Sequence, residues 1–214
     1  MFPKTIVQIF LIISFLVFGS NITYIILTKK RNKNNSSNEE IHNKLKTIRL
    51  FAHIGIWVLN VFITFVCLNI FFFDALVAII PRINLGLGDE IVQIIGLSLV
   101  IGGNITLYLA YRELGIYWAY PYDGMKKPKK LVTSGIYNKI RHPIYLSFNL
   151  ICIGFIKILL DWLILFLYVI GALGLYFQAI YEEKILTEYF EDEYSQYMLN
   201  TGRFFVRCRK SKMN

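Results

Sequence analysis

The chain has 214 residues, 56% of them hydrophobic, and a formal net charge of +9. Its mean hydropathy of +0.51 and its long apolar runs exclude an ordinary soluble domain, which is about 45–50% apolar. No polar stretch approaches the roughly 100 residues of a separate soluble domain, so residues 1–214 read as a single integral membrane domain.

The first expected span covers about 5–27 and ends on Lys29-Lys30-Arg31. Its apolar run is long for a signal peptide, so a retained helix is expected. A polar loop rich in Asn, Ser and Lys follows over 29–50. Further spans are expected at about 50–73 and 91–111, separated by the turn formers of Pro81 to Glu90. Gly102-Gly103 in the third span predicts close helix packing, and so does Gly171-Ala-Leu-Gly174 in the fifth. A polar segment over 112–143 carries Lys126, Lys127, Lys129 and Lys130. The fourth and fifth spans, about 144–160 and 162–181, make a hairpin turning near Lys157 to Trp162. Beyond it, Glu182 to Tyr197 reads as an amphipathic helix. The expected fold is all-α, five transmembrane helices with a C-terminal helical hairpin and a cytoplasmic cofactor pocket.

Orientation follows from the basic residues. The 29–50 loop and the 112–143 segment hold seven each and the tail after 181 holds six, which leaves Lys4, Arg82 and Lys157 for the other side. Positive loops stay cytoplasmic, so the N-terminus is expected outside and the C-terminus in the cytoplasm. The charge then serves orientation and anionic lipid, and nucleic acid is not an expected partner. Cys67 and Cys152 lie in apolar runs and Cys208 in a basic tail, while the histidines stand at 42, 53 and 142. That spacing matches no zinc pattern, so no metal is expected.

The hairpin brings chemistry to one surface. Arg141-His142-Pro143 precedes the fourth span, and Glu182-Glu183 follows the fifth. Proline suits a first helical turn, so His142 falls at the cap, where free N–H groups favour an anion. Arg141 and His142 read either as parts of such a site or as headgroup anchors. The acidic pair, placed at a helix C-terminus, faces the negative end of the macrodipole and calls for a cation. Arg141, His142 and a cationic ligand are the candidates, and two solvated carboxylates are the alternative. Tyr137, Tyr145, Tyr194 and Tyr197 also fit interfacial tyrosines. No strand-linked G-x-G-x-x-G, P-loop, H-E-x-x-H or G-x-S-x-G occurs.

The motifs in order are L-V-T-S-G-x-Y at Leu131 to Tyr137, R-H-P-x-Y at Arg141 to Tyr145 and E-E-x-x-L at Glu182 to Leu186. Phe190, Tyr194 and Tyr197 and then Thr201-Gly-Arg-Phe204 complete the series. Taken together, they resemble the isoprenylcysteine carboxyl methyltransferase family, which is related to the phospholipid N-methyltransferases. The resemblance covers 129–205 closely and 91–205 more loosely, with a catalytic region of about 112–205. It implies S-adenosylmethionine as cofactor, with Lys130, Leu131 and Val132 lining the adenosine region and Tyr137 nearby. His142, Pro143, Ile144 and Tyr145 would enclose the cofactor, and Glu182 or Glu183 would meet its cationic side. Arg141, Glu182 and Glu183 are the implied catalytic residues.

The chain departs from the pattern at Ser147, where the family often has glycine, and at Gln178-Ala-Ile-Tyr181, where the prenylcysteine enzymes carry an arginine. The resemblance implies methyl transfer to a lipophilic small-molecule or lipidated acceptor at the bilayer, carboxyl O-methylation of a prenylcysteine-like group foremost. Other lipid N- or O-methylation is the alternative. The rivals of other classes are an NADPH-dependent sterol-type reductase, which shares an R-H-x-x-Y pattern, and a non-enzymatic membrane scaffold.

Overall fold

A computed structural model describes residues 2–29, 43–84, 86–115 and 130–207. Lys126, Lys127 and Lys129, most of the 29–50 loop, and Cys208 lie outside these residues. The helices are α1 (Lys4–Lys29), α2 (Lys46–Phe71), α3 (Phe73–Ile79), α4 (Asp89–Leu114), α5 (Pro143–Leu159) and α6 (Trp162–Asn200), with 3-10 turns at Gly86–Gly88 and Gly135–Asn138. Among the described residues β-pairing is confined to two isolated bridges, Arg82 with Asp161 and Ile140 with Gly202. The expected all-α class therefore holds. Three helices, α2, α4 and α6, are long and apolar enough to cross a membrane, while α5 and the Lys4–Ser20 stretch of α1 are shorter apolar helices.

The five longer helices alternate in direction. At one end, the Phe2 N–H donates to Gln93 Oε1 (2.8 Å), Gln8 Nε2 to Ile70 O (2.7 Å) and Gln93 Nε2 to Ile158 O (2.8 Å). These bonds tie the start of α1 and of α4 to the ends of α2 and α5. At the other end, Leu45 and Ile48 pack on Tyr181 and Ile185.

Small residues set the helix spacing. A Cβ on Gly55 of α2 would lie 2.1 Å from Gly174 Cα of α6, so neither position admits a side chain without moving backbone. Gly96 and Gly154 meet in the same way between α4 and α5, and Gly103 faces Ile151 and the Ser147 carbonyl, whereas Gly102 faces open space. The expected packing role thus belongs to Gly103, Gly171 and Gly174. As a result, α5 packs more on α4, and α6 more on α2, than the two hairpin arms pack on each other. Buried Cys152 and half-buried Cys67 are free thiols, as packing residues would be.

The hairpin turns at Leu160 (φ 49°, ψ 52°). Asp161 then caps α6, its Oδ1 accepting from Leu163 N (2.7 Å) and Ile164 N (3.2 Å). Arg82 reaches this turn from the α3–α4 connection. It donates to Leu159 O and to Asn69 Oδ1 (3.0 Å), lies 3.9 Å from Asp161 Oδ2, and stands 5.0 Å above the Phe73 ring.

One expectation is corrected. The acidic pair does not terminate the fifth helix, because α6 continues from the apolar run to Asn200. Its helical geometry is interrupted only at Glu191 (φ 44°, ψ −117°). Glu182 and Glu183 therefore lie inside the helix, away from the macrodipole's terminal partial charges, which act within the last turn. What compensates them is side-chain chemistry.

Candidate active site

The site forms where α5 begins and the apolar part of α6 ends. Pro143 occupies the first turn of α5 and His142 its N-cap position, without a side-chain capping bond. The chain beyond α6 folds back against this entry. Arg141 N donates to Gly202 O (2.9 Å) and His142 N to Arg203 O (3.0 Å), continuing the parallel bridge of Ile140 with Gly202. These pairings answer backbone groups that a helix start leaves unsatisfied. They also fix Arg141, His142 and Arg203 against the two glutamates.

Glu183 is the hub. Arg141 Nε donates to its Oε1 (2.9 Å), and Arg203 donates from Nε (3.0 and 3.1 Å) and from Nη2 to Oε2 (2.6 Å). His142 Nε2 lies 3.3 Å from Glu183 Oε1. Arg141 also donates to the carbonyls of Met198 (3.1 Å) and Thr201. Burial alone would raise the Glu183 pKa, but hydrogen bonds from His142, Arg203 and Arg141 hold it well below the ordinary carboxylate value.

Glu182 has different company. Its Oε1 accepts from the Tyr145 hydroxyl and from Gln178 Nε2 (3.1 Å), and its Oε2 lies 3.5 Å from His142 Nδ1. Among the described residues no lysine or arginine pairs with it. His142 thus stands between two carboxylates. Burial lowers its pKa, but the bonds and fields of Glu182 and Glu183 prevail, and the net shift is upward. Its ring stacks on Tyr145 (5.4 Å, 11°) and abuts Phe204 (6.1 Å). Gln178 is buried and its Oε1 has no partner.

The structure brings together Arg141, His142, Tyr145, Glu182 and Glu183, with Pro143 and Ile144 in the helix start behind them. Ile144 packs with Tyr145, Leu175 and Ala179. Tyr137 is buried in the 3-10 turn, and its carbonyl accepts from the Tyr197 hydroxyl (2.6 Å). Burial first, then the field of Glu182, drives the Tyr137 pKa well above the ordinary phenol value. Lys130 is exposed, and Leu131 and Val132 are half-buried in the extended segment before this turn. The sequence reading had no ionic role for Arg203 and none for Glu113. Glu113 Oε2 accepts from Ser134 Oγ (3.1 Å), and its carboxylate fills the space where Gly135 (φ 56°) would carry a Cβ. The Thr201-Gly-Arg-Phe204 motif was the available signal for Arg203, but the fold-back that aims it is not written in spacing.

Fold and cluster together define a helical membrane protein with a cluster of ionic side chains at one end of its bundle. Residues 91–193 match the family model of the phospholipid methyltransferases, PEMT. The chain is also 32% identical over 122 residues to Protein-S-isoprenylcysteine O-methyltransferase of Saccharomyces cerevisiae, across 54% of this chain and 49% of that protein. It thus spans about half the length of that curated relative. The resemblance carried by the motifs stands: residues 91–193 are similar to the phospholipid methyltransferases, and the site residues from Arg141 to Glu183 lie within that match.

Proposed function

We propose that this chain is an integral membrane methyltransferase that uses S-adenosylmethionine to methylate a lipophilic acceptor. The observation that carries the reading is the asymmetry of the acidic pair. Glu183 is matched by two arginines, whereas Glu182 is held by a phenol, an amide and His142 and, among the described residues, has no lysine or arginine partner. A carboxylate so placed suits a cationic ligand. The unpartnered Gln178 Oε1 beside it is a second acceptor, and a buried acceptor is costly to leave unmade. These groups fit the ammonium and sulfonium of S-adenosylmethionine, with Glu182 the member of the pair that meets them. His142, Pro143, Ile144 and Tyr145 would enclose it, and Lys130, Leu131, Val132 and Tyr137 would border its adenosine.

When bound, the cofactor supplies an electrophilic methyl on a sulfonium. This chain's residues hold, orient and dehydrate. Glu183, fixed by Arg141 and Arg203, positions His142, and His142 with Tyr145 positions Glu182. A carboxylate acceptor needs no general base, so orientation supplies most of the catalysis, up to about 7–11 kcal/mol in well-ordered cases. The family resemblance favours a prenylcysteine-like carboxylate. The phospholipid methyltransferase match favours a second reading, methylation of a lipid amine. Membrane lipid extracts incubated with labelled S-adenosylmethionine and the purified protein decide between them. A base-labile labelled ester supports the first, a base-stable product supports the second, and no labelled lipid defeats both.

All of residues 1–214 would form one membrane domain, with five spans and 112–205 as the catalytic region. The N-terminus would lie outside and 29–49, 112–142 and 182–214 in the cytoplasm. A cysteine placed at Asn35 or Lys127 should resist impermeant reagents in intact cells. Ready labelling there reverses the orientation.

A further inference from the structure

The chain beyond α6 doubles back on the apolar part of the bundle. Gly202 makes the reversal, since a Cβ there would lie 1.7 Å from Phe205 O and the turn admits no side chain. Arg203 then lies 5.4 Å over the Tyr176 ring, and Phe204 packs against the cluster of Tyr145, Leu175 and Ala179. Phe205 and Val206, by contrast, are 75% and 59% exposed. The neighbours set the depth of this tail. Tyr176 and Leu175 stand five and six residues before Tyr181, where the apolar run ends, or about 8–9 Å along the helix axis. An interfacial segment sits about 5–10 Å into the boundary between headgroups and acyl chains. Phe205 and Val206 therefore present apolar side chains at interfacial depth, where lipid covers them and aromatic residues are favoured.

Cations flank these apolar residues. Arg207 follows at once and is exposed, its Nη1 donating to Met198 O (3.3 Å). Lys139 is exposed too, and its carbonyl accepts from Gly202 N (3.3 Å), which sets it beside the turn. Apolar residues edged by cations are complementary to anionic headgroups above an acyl phase. The same tail carries part of the site. Its Gly202 and Arg203 carbonyls accept from the Arg141 and His142 amides, and the Arg203 side chain grips Glu183. Whatever seats the tail therefore seats these groups. We propose that Gly202 to Arg207 is an interfacial anchor for anionic lipid. Its docking on the bilayer surface holds Arg203 and the entry of α5 against Glu183. The bilayer thereby becomes part of the site's support, whatever reaction the site performs.

The test uses the full chain in nanodiscs of phosphatidylcholine, with or without phosphatidylglycerol. A nitroxide placed by Val206→Cys, with Cys67→Ala and Cys208→Ala, reports depth. It should collide more with oxygen, which concentrates in the acyl phase, than with an aqueous nickel chelate. Greater nickel access at this position overturns the anchor. Hydrogen exchange at the Arg141 and His142 amides, which donate to the tail, reports its seating. Exchange should be about fivefold slower with phosphatidylglycerol present, the shift expected from one basic residue near an anionic surface. Lys139→Gln combined with Arg207→Gln should remove most of that difference. High salt, which screens exposed charges, should do the same to the wild type and decides alone if the double variant fails to fold. No difference between the two lipids, or one that survives the double variant or high salt, overturns the proposal. These readouts need no cofactor, so their failure leaves the methyltransferase reading untouched.

Discussion

The α5–α6 hairpin buries charge at both of its ends, and the two ends differ in kind. At the turn, Asp161 is fully buried, caps α6 and lies near Arg82, which is itself spent on Leu159 O and Asn69. One acid and one cation are tied to the chain's own backbone and neighbours, with Arg82 Nε and Asp161 Oδ2 left without a hydrogen bond. At the mouth, two acids, two arginines and His142 share a cluster in which the bonds are unequally distributed. Glu183 has two arginines, and Glu182 has no permanent cation among the described residues. One buried acid facing one largely buried cation, each bonded to the backbone of the turn, is a clasp. A cluster whose two carboxylates divide their cations so unequally is equipped for a charged ligand.

If that contrast is right, the two glutamates fail differently. Glu183→Gln removes the acid between Arg141 and Arg203 and leaves both unmatched. Losing one partner of a buried pair costs about 3–5 kcal/mol, so thermal unfolding in detergent should shift far downward. A shift no larger than that of an exposed substitution such as Glu188→Gln would mean that Glu183 is not the hub. Glu182→Gln should leave stability nearly unchanged, since Tyr145 and Gln178 can still bond an amide. Its effect falls on cofactor affinity, where a lost charge partner costs about 2–5 kcal/mol, or roughly 30- to several-thousand-fold. Equal affinity losses in the two variants would erase the division of labour.

The clasp supplies the control. Asp161→Ala removes the α6 cap and the partner of Arg82, for an expected loss of about 1–3 kcal/mol in stability. S-adenosylhomocysteine affinity, measured where the protein remains folded, should not change. A coupled loss of affinity would show that the two ends communicate through the hairpin and are not separate devices.

Much of this contrast could be read from the chain. The R-H-P step before one apolar run and the E-E pair after the next had to meet if the runs formed a hairpin, and they do. The small residues of the fifth span pack as expected, with Gly174 against Gly55. The compensator of Glu183 was less legible, because Arg203 reaches it only after the chain reverses beyond Asn200 and pairs with Ile140 to His142. Local patterning carries no record of that long-range pairing. The clasp escaped for the same reason, since Arg82 and Asp161 lie in different connections. The end of the fifth helix was misjudged because hydropathy marks where the apolar phase stops, and backbone hydrogen bonding does not stop there. Tyr181 ends the apolar run, but Ile185, Tyr189 and Tyr194 continue a packed face.

The smallest expected effect is a titration, and it tests the mouth directly. His142 has a raised pKa in the folded protein, above its ordinary 6.5. Its contribution to stability is therefore complete below about pH 6.5 and is lost as pH rises through the folded value. Glu183, depressed below its ordinary 4.5, contributes fully above about pH 4.5 and loses that contribution as pH falls through its folded value. Both contributions are complete between about pH 4.5 and 6.5, so the stability gap between wild type and His142→Gln should be widest there. It should narrow above neutrality. A cationic ligand beside Glu182 competes with His142 for the same negative field and lowers the imidazole pKa again. Binding of S-adenosylmethionine near neutral pH should then release a fraction of a proton, seen by calorimetry in buffers of different ionisation enthalpy. S-adenosylhomocysteine, without the sulfonium charge, should release less, and His142→Gln should release none. Proton release that persists undiminished in His142→Gln would assign it to another group and remove His142 from between the two carboxylates as a charge-sensing element.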